Sequence, residues 1–308
     1  MSIPDYLPYR SAAAREAFFA YYDALAAKQW PAASETRRVP TSYGETFVRL
    51  TGPAGAPPLV LLPGAATTSI MWTPNIQALS EGCRTFAVDQ LGDVGRTTCT
   101  KRVEHVSDLL LWLDELFDGL KLADRIHLAG ISYGGWLAAE YARHAPRRLS
   151  TLVLLAPGNT VLRVSAQFIV RIALAAVAPE TFLRPLARWM FRDQVEQHPG
   201  WLDPWLELAL ISMRTTQRRL PMPRVWTDAE WRELSVPALF LVGEHETIYD
   251  AGEAVARLNR VAPQVTTEVI PGAGHDLTLV QPELVARRIL EFVRLHVAAR
   301  ETPPVLGR

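Results

Sequence analysis

Lysine is nearly missing from this chain, occurring only as Lys28, Lys101 and Lys121. Arginine raises the basic total to 32, and 32 acidic residues balance it. A zero net charge lacks the basic excess that phosphate backbones attract, so no nucleic-acid partner is expected. Cysteine is as scarce, with only Cys83 and Cys99. They have no CxxC spacing and lack the set of cysteines and histidines that a zinc site needs. Two reduced thiols are expected in preference to a Cys83–Cys99 bridge. No apolar run approaches the ~20 residues needed to span a bilayer. The N-terminus, MSIPDYLPYR, has no basic segment followed by an apolar one. Without that secretory pattern, a cytoplasmic location is expected. No internal repeat or low-complexity tract occurs.

What remains is 308 residues with 49% apolar content, enough for a large core. Length alone suggests two domains, or one α/β domain with an insertion. Ala12 to Lys28 has apolar residues at helical spacing and reads as a lead-in helix. Glu45 to Leu50 reads as a strand. Short, continuous apolar runs follow, each closed by turn residues: Leu59 to Leu62, Thr85 to Val88, Ile126 to Ala129, Thr151 to Leu155, Ala238 to Val242 and Thr267 to Ile270. Such runs suit strands buried on both faces, as in a parallel sheet. Helical patterns separate them at Val106 to Leu120, Tyr133 to His144, Ala251 to Val261 and Pro282 to Ala299. The alternation predicts an α/β fold with a mostly parallel, doubly wound sheet.

From Asn159 to Glu233 the rhythm breaks. This interval holds three helical segments (Val161 to Val177, Pro179 to Gln197, Pro204 to Arg218) and five of the nine tryptophans. It is expected to be an inserted helical cap. Residues 1–158 and 234–300 would then form the core, and 301–308 a frayed tail. Phe168, Ile172, Trp189 and Trp205 are candidates to line a substrate pocket, although each could equally pack within the cap.

The segment Gly130-Ile131-Ser132-Tyr133-Gly134 lies between a buried strand and a helix. This G-x-S-x-G pattern is a nucleophile elbow. The sharp turn strains the serine backbone and exposes its hydroxyl, while larger residues at Gly130 and Gly134 would collide with their surroundings. A serine hydroxyl needs a base. His275, in the loop after the last strand, is the leading candidate, with His245 as its rival. The base needs an acid to hold its tautomer. The loop Gly243 to Asp250 offers Glu246 first, then Asp250 and Glu244. The small-residue turn after Leu62 can present backbone amides, so Ala65 N–H and Tyr133 N–H are the expected oxyanion donors. This chemistry requires no metal and no organic cofactor.

Together these residues resemble the α/β-hydrolase superfamily, in its serine-nucleophile branch. The likeness runs from Thr46 to Ala299. Val88 to Thr97 is similar to the D-x-x-G-x-G-x-S/T segment, expanded by one residue. Gly274 to Pro282 is similar to the G-H-x-x-x-x-E/Q-x-P ending. Ser69 to Trp72, Gly243 to Glu246 and Gly92 to Arg96 resemble bacterial carboxylesterases. Two departures stand out: Pro63-Gly64 replaces His-Gly, and Glu246 occupies a position where aspartate is commoner. The resemblance implies an α/β-hydrolase fold and cleavage of a small-molecule ester. A monomer or homodimer is expected. Lactone, thioester, amide or carbon–carbon cleavage by the same triad is the alternative. A ligand-binding protein on this scaffold is a third reading.

Overall fold

The structure is a computed structural model describing residues 4, 6–31, 34–177, 185, 188–189, 203–217 and 219–301. An eight-stranded sheet in the order β1-β2-β4-β3-β5-β6-β7-β8 forms its centre. The strands are β1 (Ser34–Thr41), β2 (Gly44–Thr51), β3 (Pro58–Leu62), β4 (Arg84–Val88), β5 (Ile126–Ile131), β6 (Leu149–Leu155), β7 (Ala238–Gly243) and β8 (Val265–Ile270). β2 joins β1 and β4 antiparallel, and the pairs from β4 through β8 are parallel. β5, β6 and β7 are buried along their whole length, which accounts for their unbroken apolar sequences.

The expected strands are all present, and β1 is added to them. Its sequence, SETRRVPT, has one buried residue, Val39. A charged edge with a proline resists pairing with another sheet, so such a strand carries no apolar signature.

Alternate sheet side chains feed two cores. Val60, Leu62, Leu128, Leu152 and Leu154 meet helices α3 (Val106–Gly119) and α4 (Tyr133–His144) and the helix Ala251–Val261. On the opposite face, Leu59, Leu61, Ala129, Val153 and Leu155 meet α1 (Ala12–Gln29), α2 (Thr73–Gly82) and the C-terminal helix Pro282–Glu301. Cys83 belongs to the second core and Cys99 to the first; both are free thiols.

Helix α1 is tied firmly to the body. Phe18 and Tyr22 have no exposed surface. The Tyr22 hydroxyl donates to buried Asp89 at 3.1 Å and accepts from Arg49 at 3.0 Å. Asp89 also accepts Ser69 N–H at 2.8 Å and Arg96 N–H at 2.7 Å. This explains the 88–97 segment. Gly95 has φ +127°, and a Cβ there would lie 2.6 Å from the Asp89 carboxylate. Thr97 Oγ1 closes the loop by donating to Asp89 O at 2.5 Å.

In the interval expected to form a cap, the described residues contain α5 (Ala166–Val177), the helix Asp203–Thr215 and the short helix Asp228–Arg232. Most of the expected helix from Pro179 to Gln197 lies outside the described residues. The helix Asp203–Thr215 rests on α1, with Tyr21 donating to Pro204 O at 3.1 Å. Trp226 and Trp231 are fully buried in the first core, and Trp226 Nε1 donates to Glu140 of α4 at 2.9 Å.

Candidate active site

Because β3 and β5 through β8 run parallel, their carboxyl ends share one edge of the sheet. Ligand sites in open α/β sheets form at that edge. The loops after β3, β5, β7 and β8 carry Ala65, Ser132, Glu246 and His275 respectively.

Ser132 joins β5 to α4 with φ 52° and ψ −115°. A non-glycine residue in this region is strained and must be held by its surroundings. Its N–H donates to Leu155 O at 2.9 Å, and its carbonyl accepts from Trp136 N–H at 3.1 Å and Gly158 N–H at 3.0 Å. The elbow also needs two bare neighbours. A Cβ on Gly134 would press into the Leu62 and Pro63 carbonyls, reaching 2.6 Å from the former. One on Gly130 would strike the backbone of Gly134 and Gly135. The two glycines thus let the turn fold on itself and let the end of β3 approach α4.

His275 lies between β8 and the short helix Leu277–Val280. Its Nδ1 is 3.0 Å and 3.1 Å from the two Glu246 carboxylate oxygens. The His275 side chain is 10% exposed and that of Glu246 not at all. Glu246 Oε1 further accepts the N–H groups of Thr247 at 2.7 Å and Ile248 at 2.9 Å. Burial disfavours a charged imidazole, but the Glu246 charge and hydrogen bond and the Asp276 charge outweigh it. The His275 pKa is therefore raised. With Nδ1 committed to Glu246, Nε2 remains for chemistry. Among the described residues no hydrogen bond joins Ser132 Oγ to His275, a contact that often tightens only when substrate is present.

The rival residues have other partners. Asp250 caps the helix Ala251–Val261 by accepting Glu253 N–H at 2.8 Å. Glu244 accepts Gly272 N–H at 3.0 Å. His245 is exposed, with Glu244 at 4.0 Å. None of these three meets His275.

Tyr133 opens α4, and its hydroxyl donates to Pro221 O at 2.8 Å. Ala65 sits exposed in the turn after β3. A Cβ on neighbouring Gly64 would lie 3.5 Å from Ser132 Cβ, so this turn borders Ser132 directly. Four side chains hold the turn in ways the sequence did not show: Thr67, Met71, Asp93 and Ser212. Each acts on backbone atoms of the turn, a role no local pattern announces. Of the pocket candidates, Trp205 is buried in the second core, and Phe168 and Trp189 are half-buried. The Arg171 guanidinium lies 4.0 Å from the Trp189 ring centre. The side chain of Ile172 lies outside the described residues. Among the described residues no group of three acidic, histidine or cysteine side chains could hold a metal.

Residues 59–288 match the model of the alpha/beta hydrolase family. The chain belongs to that family. This α/β hydrolase is 35% identical over 270 residues to a Bacillus subtilis protein described as an uncharacterized carboxylesterase, covering 85% of this chain and 88% of the other. It is 33% identical to the carboxylesterase YbfK of the same organism, covering 90% and 93% of the two chains. Its fold is similar to the crystal structure of a Bacillus subtilis naproxen esterase, with a TM-score of 0.81 and 32% identity. That match covers 89% of this chain and 96% of the other. No helix among the described residues is long and apolar enough to cross a membrane.

Proposed function

We propose that this α/β hydrolase cleaves carboxylic esters through an acyl-enzyme on Ser132. The observation that carries the proposal is the buried Glu246–His275 pair on the sheet edge that bears the strained Ser132. The carboxylesterase names of its relatives favour an ester as the bond cleaved. His275 Nε2 takes the hydroxyl proton as Ser132 Oγ attacks the ester carbonyl. Glu246 fixes the histidine tautomer and stabilises the imidazolium that forms. Ala65 and Tyr133 N–H groups bind the developing oxyanion, each such donor typically contributing about 3 kcal/mol in the transition state. His275 returns the proton to the leaving alcohol. It then activates water to release the acid and restore Ser132.

Residues 159–233 act as the substrate-facing cap, which suits small to medium apolar acyl groups. On this reading the protein is a cytoplasmic enzyme, monomeric or homodimeric, and its chemistry needs no cofactor. A fluorophosphonate should add one mass label to the wild-type protein and abolish p-nitrophenyl ester turnover. Ser132→Ala should take no label and lose ~10⁴-fold or more in kcat. A labelled or fully active Ser132→Ala protein would overturn the proposal.

A further inference from the structure

We infer that Thr67 is a positioning residue for the oxyanion donor at Ala65. This rests on the esterase reading above and adds to it a side chain that aims a backbone N–H. The peptide unit between Gly64 and Ala65 carries both the Gly64 carbonyl and the Ala65 N–H. No cis peptide occurs among the described residues. In a trans unit the C=O and N–H point in nearly opposite directions within one plane, so fixing one fixes the other.

The Gly64 carbonyl is held from below by Thr67. It accepts the Thr67 N–H at 3.2 Å and the Thr67 hydroxyl at 2.6 Å. Any residue could supply the first bond, but only serine or threonine supplies the second. Met71 supports the arrangement: its Sδ lies 3.1 Å from Thr67 Oγ1 and accepts Gly64 N–H at 3.3 Å. The neighbouring peptide is secured separately. Ala66, at φ 61°, gives its N–H to buried Asp93 at 2.9 Å, and its carbonyl accepts Ser212 Oγ at 3.0 Å. With Ala66 clamped on one side and Ser132 packed near Gly64 on the other, the tilt of the Gly64–Ala65 plane is the remaining freedom. The Thr67 hydroxyl removes it. A hydrogen bond to the carbonyl also polarises the amide and strengthens its N–H as a donor.

The test compares Thr67→Val, which keeps the shape and loses the hydroxyl, with Thr67→Ser, which keeps the hydroxyl. Kinetics with p-nitrophenyl butyrate are paired with inhibition by an alkyl trifluoromethyl ketone, whose adduct with Ser132 places an oxyanion in the hole. Thr67→Val should lower kcat about 10- to 100-fold with KM changed less than about threefold, the pattern of a misaimed transition-state contact. Its ketone affinity should fall by the same factor as kcat/KM, and Thr67→Ser should restore both. A role confined to stability would lower the melting temperature without this parallel loss. Wild-type kcat and ketone affinity in Thr67→Val would overturn the inference. Ala65→Pro removes the donor itself and separates the two levels. Full kcat in a folded Ala65→Pro protein would overturn the underlying oxyanion assignment. Lost activity there beside an unaffected Thr67→Val would overturn only the role of Thr67.

Discussion

At the residue scale, the proposed mechanism makes activity depend on how His275 is charged. Glu246 raises its pKa despite burial. In that mechanism the free base is the active form, so kcat/KM should rise with pH, with a midpoint above the usual 6.5. Glu246→Gln removes the charge and weakens the hydrogen bond while burial remains. The midpoint should then move down and the plateau should fall; an unmoved midpoint would separate Glu246 from the titration. Linkage gives the sign for stability. Because the folded pKa is raised, the pair's contribution is complete below the unfolded value near 6.5 and is lost as pH rises through the folded pKa. Urea unfolding of wild type and Glu246→Gln should therefore differ more at pH 6 than at pH 9. An equal difference at both pH values would show that the pair adds nothing pH-dependent to stability.

The positions of Ser132 and His275 at strand ends were legible in the sequence because each sits in a local pattern: glycines two residues either side of one, and a turn after an apolar run for the other. Glu246 needed the structure. Three carboxylates share its loop, and only distance shows that Glu246 alone meets the imidazole while Asp250 caps a helix. The contacts that Thr67 and Asp93 make to the Gly64 carbonyl and the Ala66 N–H were not legible, because main-chain atoms leave no mark in the sequence.

At the element scale, close approach of β3 to α4 shapes the site. Gly134→Ala would force the Leu62 and Pro63 carbonyls away from the helix. It should lower both the melting temperature and kcat, as seen by thermal unfolding and ester assay; a neutral result would show that the elbow tolerates a methyl group. The lead-in helix also has a definite duty. Tyr22→Phe deletes the hydroxyl that meets Asp89 and Arg49 in the core. Losing a buried partner of a charged group costs about 1–3 kcal/mol, so denaturant midpoints should fall accordingly. The apolar strands were readable because burial on both faces demands unbroken apolar runs. β1 was not, because an exposed edge is selected for charge and not for burial.

At the scale of the whole molecule, one sheet separates two cores, and a cysteine lies in each. Burial pushes the Cys83 thiol up to about 12 and Cys99 to about 11. Thiolate is the reactive form, so both should resist alkylation in the native protein and react only on unfolding. Rapid labelling by a thiol reagent under native conditions would show that one core opens readily. The fold class followed from the alternation of apolar runs and helices, since that pattern admits few architectures. The 159–233 interval was harder to read. Its tryptophans serve different ends: Trp226 and Trp231 pack into the core, while Trp189 stacks with Arg171.

In the proposed mechanism, ester cleavage passes through an acyl group on Ser132. Acid quenching of wild-type protein within milliseconds of mixing with p-nitrophenyl butyrate, followed by peptide mass mapping, tests it directly. A butyryl group on the peptide containing Ser132, formed and lost at rates consistent with turnover, is the predicted result. Turnover with no such adduct where deacylation limits the rate, or an adduct on another residue that turns over competently, would contradict it.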